Sequence, residues 1–317
     1  MPLTEVLKPA IEYAEQGYPV SPTTGRYWKA AYKRYKEELK DEQYKSWFDT
    51  FAPDNRPPEI GEIWSSKGHA QTLKAIAETE GRSFYQGEIA DKITTYSQKY
   101  NGFLGKEDLA NFTPEWVDPI KVNYRGYDVW ELPPNGQGMV ALMALKMLNN
   151  YQFPYKKSID TYHKQIEAMK LAMTDGKAYI TDLDKMNYKV EQFLSSQYLN
   201  KRANLIDEKA LTPEEGKPAK GGTVYLAAAD NEGNMVSFIQ SNYMGFGSGL
   251  VVPETGIALQ NRGHLFSMDP EHDNTLEGNK RTYHTIIPGF LTKSDQPVGP
   301  FGVMGGYMQP QGHLQVI

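Results

Sequence analysis

The sequence predicts an α+β protein in which helices pack on antiparallel sheet. Three observations carry this. Apolar residues recur at the 3.6 period through most of the first two thirds of the chain. After the loop-like stretch at 211–222 the pattern changes to short alternating strands separated by turn residues. A hairpin-like stretch, Ile120 to Leu132 around Arg125-Gly126, places strands among the helices.

Taken in order, Leu3, Val6, Leu7, Ala10, Ile11 and Ala14 lie on one helical face, with Thr4 as a candidate cap and Gly17 as the stop. Thr24 to Phe51, rich in Tyr and Lys, reads as helix, as do Gln71 to Glu80, Gly87 to Tyr100 and Lys106 to Phe112. Beyond the hairpin, Pro133-Pro134-Asn135-Gly136 is a turn. Gly138 to Asn150, Ser158 to Ala178 and Asp182 to Tyr198 are three further helices. Leu211 to Gly222 holds two prolines and three glycines without periodicity and reads as an exposed loop. Thr223 to Ala229 and Met235 to Tyr243 form a strand pair about the turn Asp230-Asn231-Glu232-Gly233. Leu250 to Val252, Gly256 to Gln260, Thr285 to Leu291 and Val298 to Val303 are short strands.

Composition excludes several functions. The chain has 317 residues, enough for one large domain or two small ones. Its net charge of −5 disfavours a phosphate-binding surface, so no nucleic-acid partner is expected. The absence of cysteine removes disulfides, thiolate metal sites and cysteine nucleophiles. No apolar run approaches the roughly 18 residues of a membrane span; Met139 to Met147 is too short and carries Lys146. The six histidines form no His-Glu-x-x-His pattern, and no Walker loop is present, so neither metal nor cofactor is implied. His264 and His313 read as surface or supporting side chains. Gly245-Phe246-Gly247-Ser248-Gly249 lies between strands and lacks the helix N-terminus a dinucleotide requires.

Two short motifs remain. Gly221-Gly222-Thr223 delivers a threonine from a loop to the head of a strand. If the chain is cut before Thr223, the freed α-amine, with an ordinary pKa near 8, becomes the base its hydroxyl needs. Threonine is also common at strand starts, and on local chemistry alone that is the better reading. Gly305-Gly306 follows a strand-like run and can aim backbone N–H groups at a developing oxyanion, although most such pairs are tight turns.

Together these pieces resemble the γ-glutamyltransferase family of N-terminal-nucleophile hydrolases, in its cephalosporin-acylase-like branch. The resemblance rests on Thr-Val-Tyr-Leu from Thr223, Asp-Asn-Glu-Gly-Asn from Asp230, Phe-Gly-Ser-Gly from Phe246, Gly-Ile-Ala-Leu-Gln-Asn from Gly256, then Phe266, Lys280-Arg281 and Gly305-Gly306. Upstream it includes Phe84-Tyr85-Gln86-Gly87, Lys106-Glu107-Asp108-Leu109, Tyr124-Arg125-Gly126-Tyr127 and Pro133-Pro134. It implies a four-layer αββα sandwich and a precursor that cuts itself between Gly222 and Thr223. The products would be a large-subunit portion, 1–222, and a small-subunit portion, 223–317, together one structural domain, with a higher oligomer left open. It assigns Thr223 as nucleophile, Ser241 as the supporting hydroxyl, Gly305 and Gly306 as the oxyanion hole, and a small-molecule amide as substrate.

The departures concern substrate binding. Leu265 stands where γ-glutamyl enzymes place an acidic residue for the substrate's α-amine. His284-Thr285 replace the serine pair that holds the α-carboxylate, and Tyr243 replaces an asparagine, with Asn242 adjacent. The candidate substrate-binding residues are therefore Tyr243, Asn261, Arg262, His284 and Thr285, with Arg262 suited to a carboxylate. The acyl group need not carry an α-amine. The chain begins inside the family's large subunit and stops soon after Gly305-Gly306, so the resemblance implies a piece of a longer protein. The alternative is an unprocessed homologue that binds a small acidic ligand or a protein partner without catalysis.

Overall fold

In the computed structural model, which describes residues 1–212 and 222–317, the opening amphipathic period forms α1 (Leu3–Gln16). It ends at Gly17, whose φ of 85° favours glycine. Its cap position is taken by Pro2, and Thr4 lies within the helix. After β1 (Tyr18–Pro19), the helix expected over 24–51 is two, α2 (Pro22–Glu38) and α3 (Lys45–Phe51), joined through a 3-10 turn. Aromatic packing explains the break. Fully buried Trp47 lies 4.9 Å from Tyr35, a fold-back that twelve residues of continuous helix would forbid. β2 (Ile63–Trp64) pairs with β1, and α4 (Lys67–Glu78) packs on α1. α5 (Arg82–Gln86), which the periodicity did not reveal, precedes α6 (Glu88–Lys99) and α7 (Lys106–Ala110).

These elements, 1–115, and the segment 246–260 make one of two compact units. Phe246 inserts among Trp28, Trp47 and Phe51, with its ring 4.7 Å from that of Phe51. At Gly247 (φ 75°) a Cβ would stand 2.3 Å from the Leu259 carbonyl oxygen, so the glycine-rich segment is a close-packed turn. The strands expected at 250–252 and 256–260 reduce to a single bridge, Val251 with Ala258, flanked by two backbone hydrogen bonds.

The second unit is 116–245 with 261–317. β3 (Ile120–Tyr124) and β4 (Tyr127–Glu131) form the predicted hairpin, with Arg125 and Gly126 both at positive φ. α8 (Gly138–Leu148) has Met139–Leu145, Met147 and Leu148 buried, as expected of a helix apolar on every side. It is the axis of the core, with α9 (Ile159–Tyr179) against it. The helix expected over 182–198 breaks into a 3-10 turn, α10 (Val190–Phe193) and α11 (Ser196–Ala203). Local hydrogen bonds win there. Lys189 N–H donates to the Gln192 side chain, the Ser195 hydroxyl caps Tyr198, and Asn187 is drawn to Asp273 at 2.7 Å.

Of the expected loop at 211–222, residues 213–221 lie outside the described residues. β5 (Gly222–Ala229) and β6 (Met235–Tyr243) pair antiparallel as predicted, with Gly222 already in the strand. β7 (Gly289–Lys293) and β8 (Gln296–Phe301) extend the hairpin into a sheet ordered β3-β4-β7-β8. Thr285 to Ile287, expected within a strand, instead bond to side chains. Arg262 and Gln137 hold Thr285, and Gln309 accepts the Ile287 N–H at 3.2 Å. α12 (Gln309–Val316), not foreseen, closes the unit against α8. Helices on antiparallel sheets make the chain α+β. Among the described residues no helix is long and apolar enough to cross a membrane.

Candidate active site

The β5–β6 ladder sets the threonine. Gly222 pairs with Tyr243 but Thr223 pairs with Ser241, which leaves Asn242 as an extra residue, a β-bulge. Tyr243 leaves the bulge at φ 74°. The Thr223 hydroxyl donates to Ser241 Oγ at 3.1 Å, and the Tyr243 N–H donates to the same oxygen at 2.9 Å. Two residues on and on the same strand face, the Tyr225 ring leaves no room for a side chain at Gly302. The strand face that carries Thr223 therefore borders the segment leading to Gly305 and Gly306.

Those two glycines adopt φ of 142° and 61°. The Gly305 carbonyl accepts from the Met308 N–H at 3.2 Å, and the Gly306 carbonyl accepts from Gln137 Nε2 at 2.9 Å. Neither glycine N–H reaches a backbone carbonyl outside its own helical turn among the described residues. The sequence reading missed Gln137. It is fully buried, and its Nε2 also donates to the Thr285 carbonyl at 2.7 Å. Its Oε1 accepts the Tyr283 hydroxyl at 2.9 Å, and its N–H donates to the His284 carbonyl. One side chain thus ties together the two segments that hold His284-Thr285 and Gly305-Gly306. The signal was a polar residue placed directly before a helix whose one charged residue is Lys146.

The other predicted residues join the same network. Arg262, only 3% exposed, donates from Nη1 to the Thr285 hydroxyl at 2.7 Å, and its guanidinium lies 5.1 Å from the centre of the Tyr243 ring. Burial brings its pKa down to about 10, against the raising influence of Tyr243 and Tyr307. Asn261 accepts the Met244 N–H at 3.2 Å and donates its own N–H to Asn242, which braces the bulge. His284 is half-buried. Burial first, and the Arg262 charge second, bring its pKa to about 3, so the imidazole is neutral. Its Nδ1 accepts the Ile286 N–H at 3.4 Å, which leaves the proton on Nε2. Tyr243 and Thr285 are buried, at 1% and 0% exposure, and hold Arg262 in place. Leu265 packs against the apolar core.

His313, read as a surface or supporting residue, is fully buried and pairs with Glu131 at 2.5 Å, both at 0% exposure. Burial raises the Glu131 pKa against the opposing influence of His313. Among the described residues no three His, Asp or Glu side chains gather as a metal site.

The α+β fold of helices on antiparallel sheets, with Thr223 beside Ser241 near the start of an internal strand, is consistent with the N-terminal-nucleophile hydrolase class. The sequence model of gamma-glutamyltranspeptidase matches residues 1–317, and the chain belongs to that family. It is 37% identical over 317 residues to the glutathione hydrolase-like YwrD proenzyme of Bacillus subtilis (strain 168), covering 99% of this chain and 59% of that one. It is 33% identical to the oxamate amidohydrolase proenzyme of Klebsiella pneumoniae subsp. pneumoniae, covering 98% and 58%. The crystal structure of cephalosporin acylase from Bacillus halodurans superposes with a TM-score of 0.96 at 64% identity, covering 100% of this chain and 58% of that chain. The chain thus spans about six-tenths of the length of the relatives it matches.

Proposed function

We propose that the protein is a self-processing amidohydrolase or acyltransferase whose nucleophile is Thr223. The observation that carries this is the hydroxyl pair of Thr223 and Ser241 at a bulge, hydrogen-bonded to Tyr243, whose ring lies against Arg262; Arg262 in turn holds Thr285, and Gln137 links Thr285 to Gly306. In processing, Thr223 Oγ attacks the Gly222 carbonyl carbon. The C–N bond breaks, its electrons return to nitrogen, and that nitrogen takes a proton and becomes the α-amine of Thr223. Water then hydrolyses the ester, which leaves Gly222 as a carboxylate and restores the hydroxyl. In turnover the α-amine takes the hydroxyl proton as Thr223 attacks a substrate amide and passes it to the departing amine. Gly305 and Gly306 N–H groups stabilise the oxyanion, and water or a second amine removes the acyl group. The two pieces, 1–222 and 223–317, stay together as subunits.

The substrate class follows from the departures. Leu265 cannot pair with an ammonium, whereas Arg262 supplies a positive potential, so the acyl group is of γ-glutamyl or glutaryl type with the amine dispensable. An oxamate amidohydrolase among the relatives fits a carboxylate-bearing acyl group without an amine. Intact mass with N-terminal sequencing tests the reading. A piece beginning Thr-Val-Tyr-Leu is expected from the wild type and none from Thr223→Ala; turnover by Thr223→Ala would overturn it. Leu265 also favours a second reading, an uncut homologue that binds a small acidic ligand or a protein partner. A stable uncut chain that binds without hydrolysing would be its signature.

A further inference from the structure

Gly302 stands three residues before Gly305, and its backbone does not require glycine, since it is not among the glycines at positive φ. One ring forbids a side chain there. A Cβ at Gly302 would lie 2.4 Å from Tyr225 Cε2, 2.6 Å from Cδ2 and 2.7 Å from Cζ, whereas ordinary contact begins near 3.4 Å. Tyr225 follows Thr223 by two residues on the same face of β5, about 7 Å along the strand.

The ring is braced against swinging aside. The Ser237 hydroxyl donates to the Gly289 carbonyl at 2.9 Å, so the Tyr225 hydroxyl, 3.1 Å from Ser237 Oγ, is the donor to that oxygen. Ser237 belongs to β6, the strand that carries Ser241, and Gly289 opens β7. Gly289 pairs with Phe301 of β8, whose ring lies 2.5 Å from where a Gly289 Cβ would stand. Phe301 directly precedes Gly302, so the contacts close on themselves: Tyr225, Ser237, Gly289, Phe301, Gly302. The next residue is pinned as well. Val303 Cγ2 lies 2.5 Å from where a Cβ would stand at Gly312 of α12. Gln137 holds the far end of the same segment at Gly306.

We propose that Tyr225 is a positioning residue. Its ring, seated on Gly302 and braced through Ser237, sets the gap between the Thr223 hydroxyl and the Gly305 and Gly306 N–H groups. This rests on the acyl-transfer reading above, in which those groups are nucleophile and oxyanion donors. A methyl at Gly302 would push the two strands apart by about 1 Å, and a misplacement of that size costs on the order of 100-fold in rate.

A size exchange across the contact tests this, read as the rate of chain cleavage by intact mass. Gly302→Ala is expected to slow cleavage by about tenfold to 100-fold, and Tyr225→Leu, which removes the strut, by about tenfold. The double variant is expected to cut faster than Gly302→Ala alone, because the shorter side chain admits the methyl. Tyr225→Phe keeps the ring, loses one hydrogen bond and is expected within about threefold of the wild type. Single effects that simply multiply in the double variant overturn the proposal. So does a Leu variant that loses Tm yet cuts at the wild-type rate, or a Phe variant as slow as Leu; neither comparison needs the alanine chain to fold. Amide hydrogen exchange over 303–306 needs no cleavage. It is expected to quicken at least about fivefold in each single variant and to fall back in the double. A wild type that never cuts itself counts against the acyl-transfer reading alone. Exchange over 303–306 that is the same in all four chains overturns the role of Tyr225.

Discussion

Replacing Gln137 by leucine tests the geometry that joins the candidate oxyanion hole to the substrate-side segment. The change keeps the volume roughly constant and removes three side-chain hydrogen bonds in a fully buried setting: those to the Thr285 carbonyl at 2.7 Å, the Gly306 carbonyl at 2.9 Å and the Tyr283 hydroxyl at 2.9 Å. Each buried polar group left without a partner costs about 1–3 kcal/mol. The hydroxyl can rotate, whereas the two carbonyls are fixed by the chain, so the expected loss is about 4 kcal/mol. That is a large fraction of typical stability, and it lowers Tm by on the order of 10 °C. Gln137→Glu grades the effect. Buried in its acid form, Glu keeps one donor and one acceptor and loses a single hydrogen bond, so its Tm falls between the other two. Thermal unfolding measures the first quantity, and the rate of chain cleavage by intact mass measures the second. With Gly306 no longer held, cleavage is expected to slow at least about tenfold, a part of the roughly 2.7–4 kcal/mol that one oxyanion donor contributes. A leucine variant within about 2 °C of the wild type, cutting itself at the same rate, would refute the reasoning.

Other perturbations separate the remaining roles. Ser241→Ala removes the oxygen on which the Thr223 hydroxyl rests and is expected to slow cleavage and turnover about tenfold with little change in Tm; an unaltered cleavage time course would deny Ser241 a role. Gly306→Ala places a Cβ at φ 61°, a strained setting, and is expected to depress kcat more than KM; a raised KM with normal kcat would move Gly306 out of the oxyanion hole. His284 must stay neutral in the folded chain, with a pKa of about 3 against an ordinary 6.5. The unfolded chain therefore binds the extra proton between those values, and stability falls as pH drops below 6.5, by at most about 1.4 kcal/mol per unit. His284→Asn should lose less Tm than the wild type between pH 7 and pH 4.5; equal losses would place the acid sensitivity elsewhere.

The fold was legible where one period dominates. α1, α8 and the hairpins β3–β4 and β5–β6 form close to where patterning and turn residues put them. It was illegible where side chains compete with the backbone. The break before α3 comes from a ring contact between residues twelve apart, and the break after α9 from local caps and an Asn187–Asp273 contact across the chain. Periodicity carries no trace of either, because both depend on tertiary partners. The segment 285–287 misled for the same reason: β-prone residues were drawn off the ladder by Arg262, Gln137 and Gln309.

The candidate site divides along a similar line. Thr223, Ser241, Gly305 and Gly306 could be singled out only through the family resemblance, carried by the order of short motifs along the chain, because locally a threonine at a strand start and a pair of glycines read as ordinary structure. The residues that hold them could not. Gln137 is one glutamine in a turn, His313 one histidine near the end, and both prove fully buried and hydrogen-bonded to distant segments. The substrate side is the instructive case. The sequence marks Arg262 as the cation for a carboxylate, yet the fold buries it against Tyr243 and Thr285.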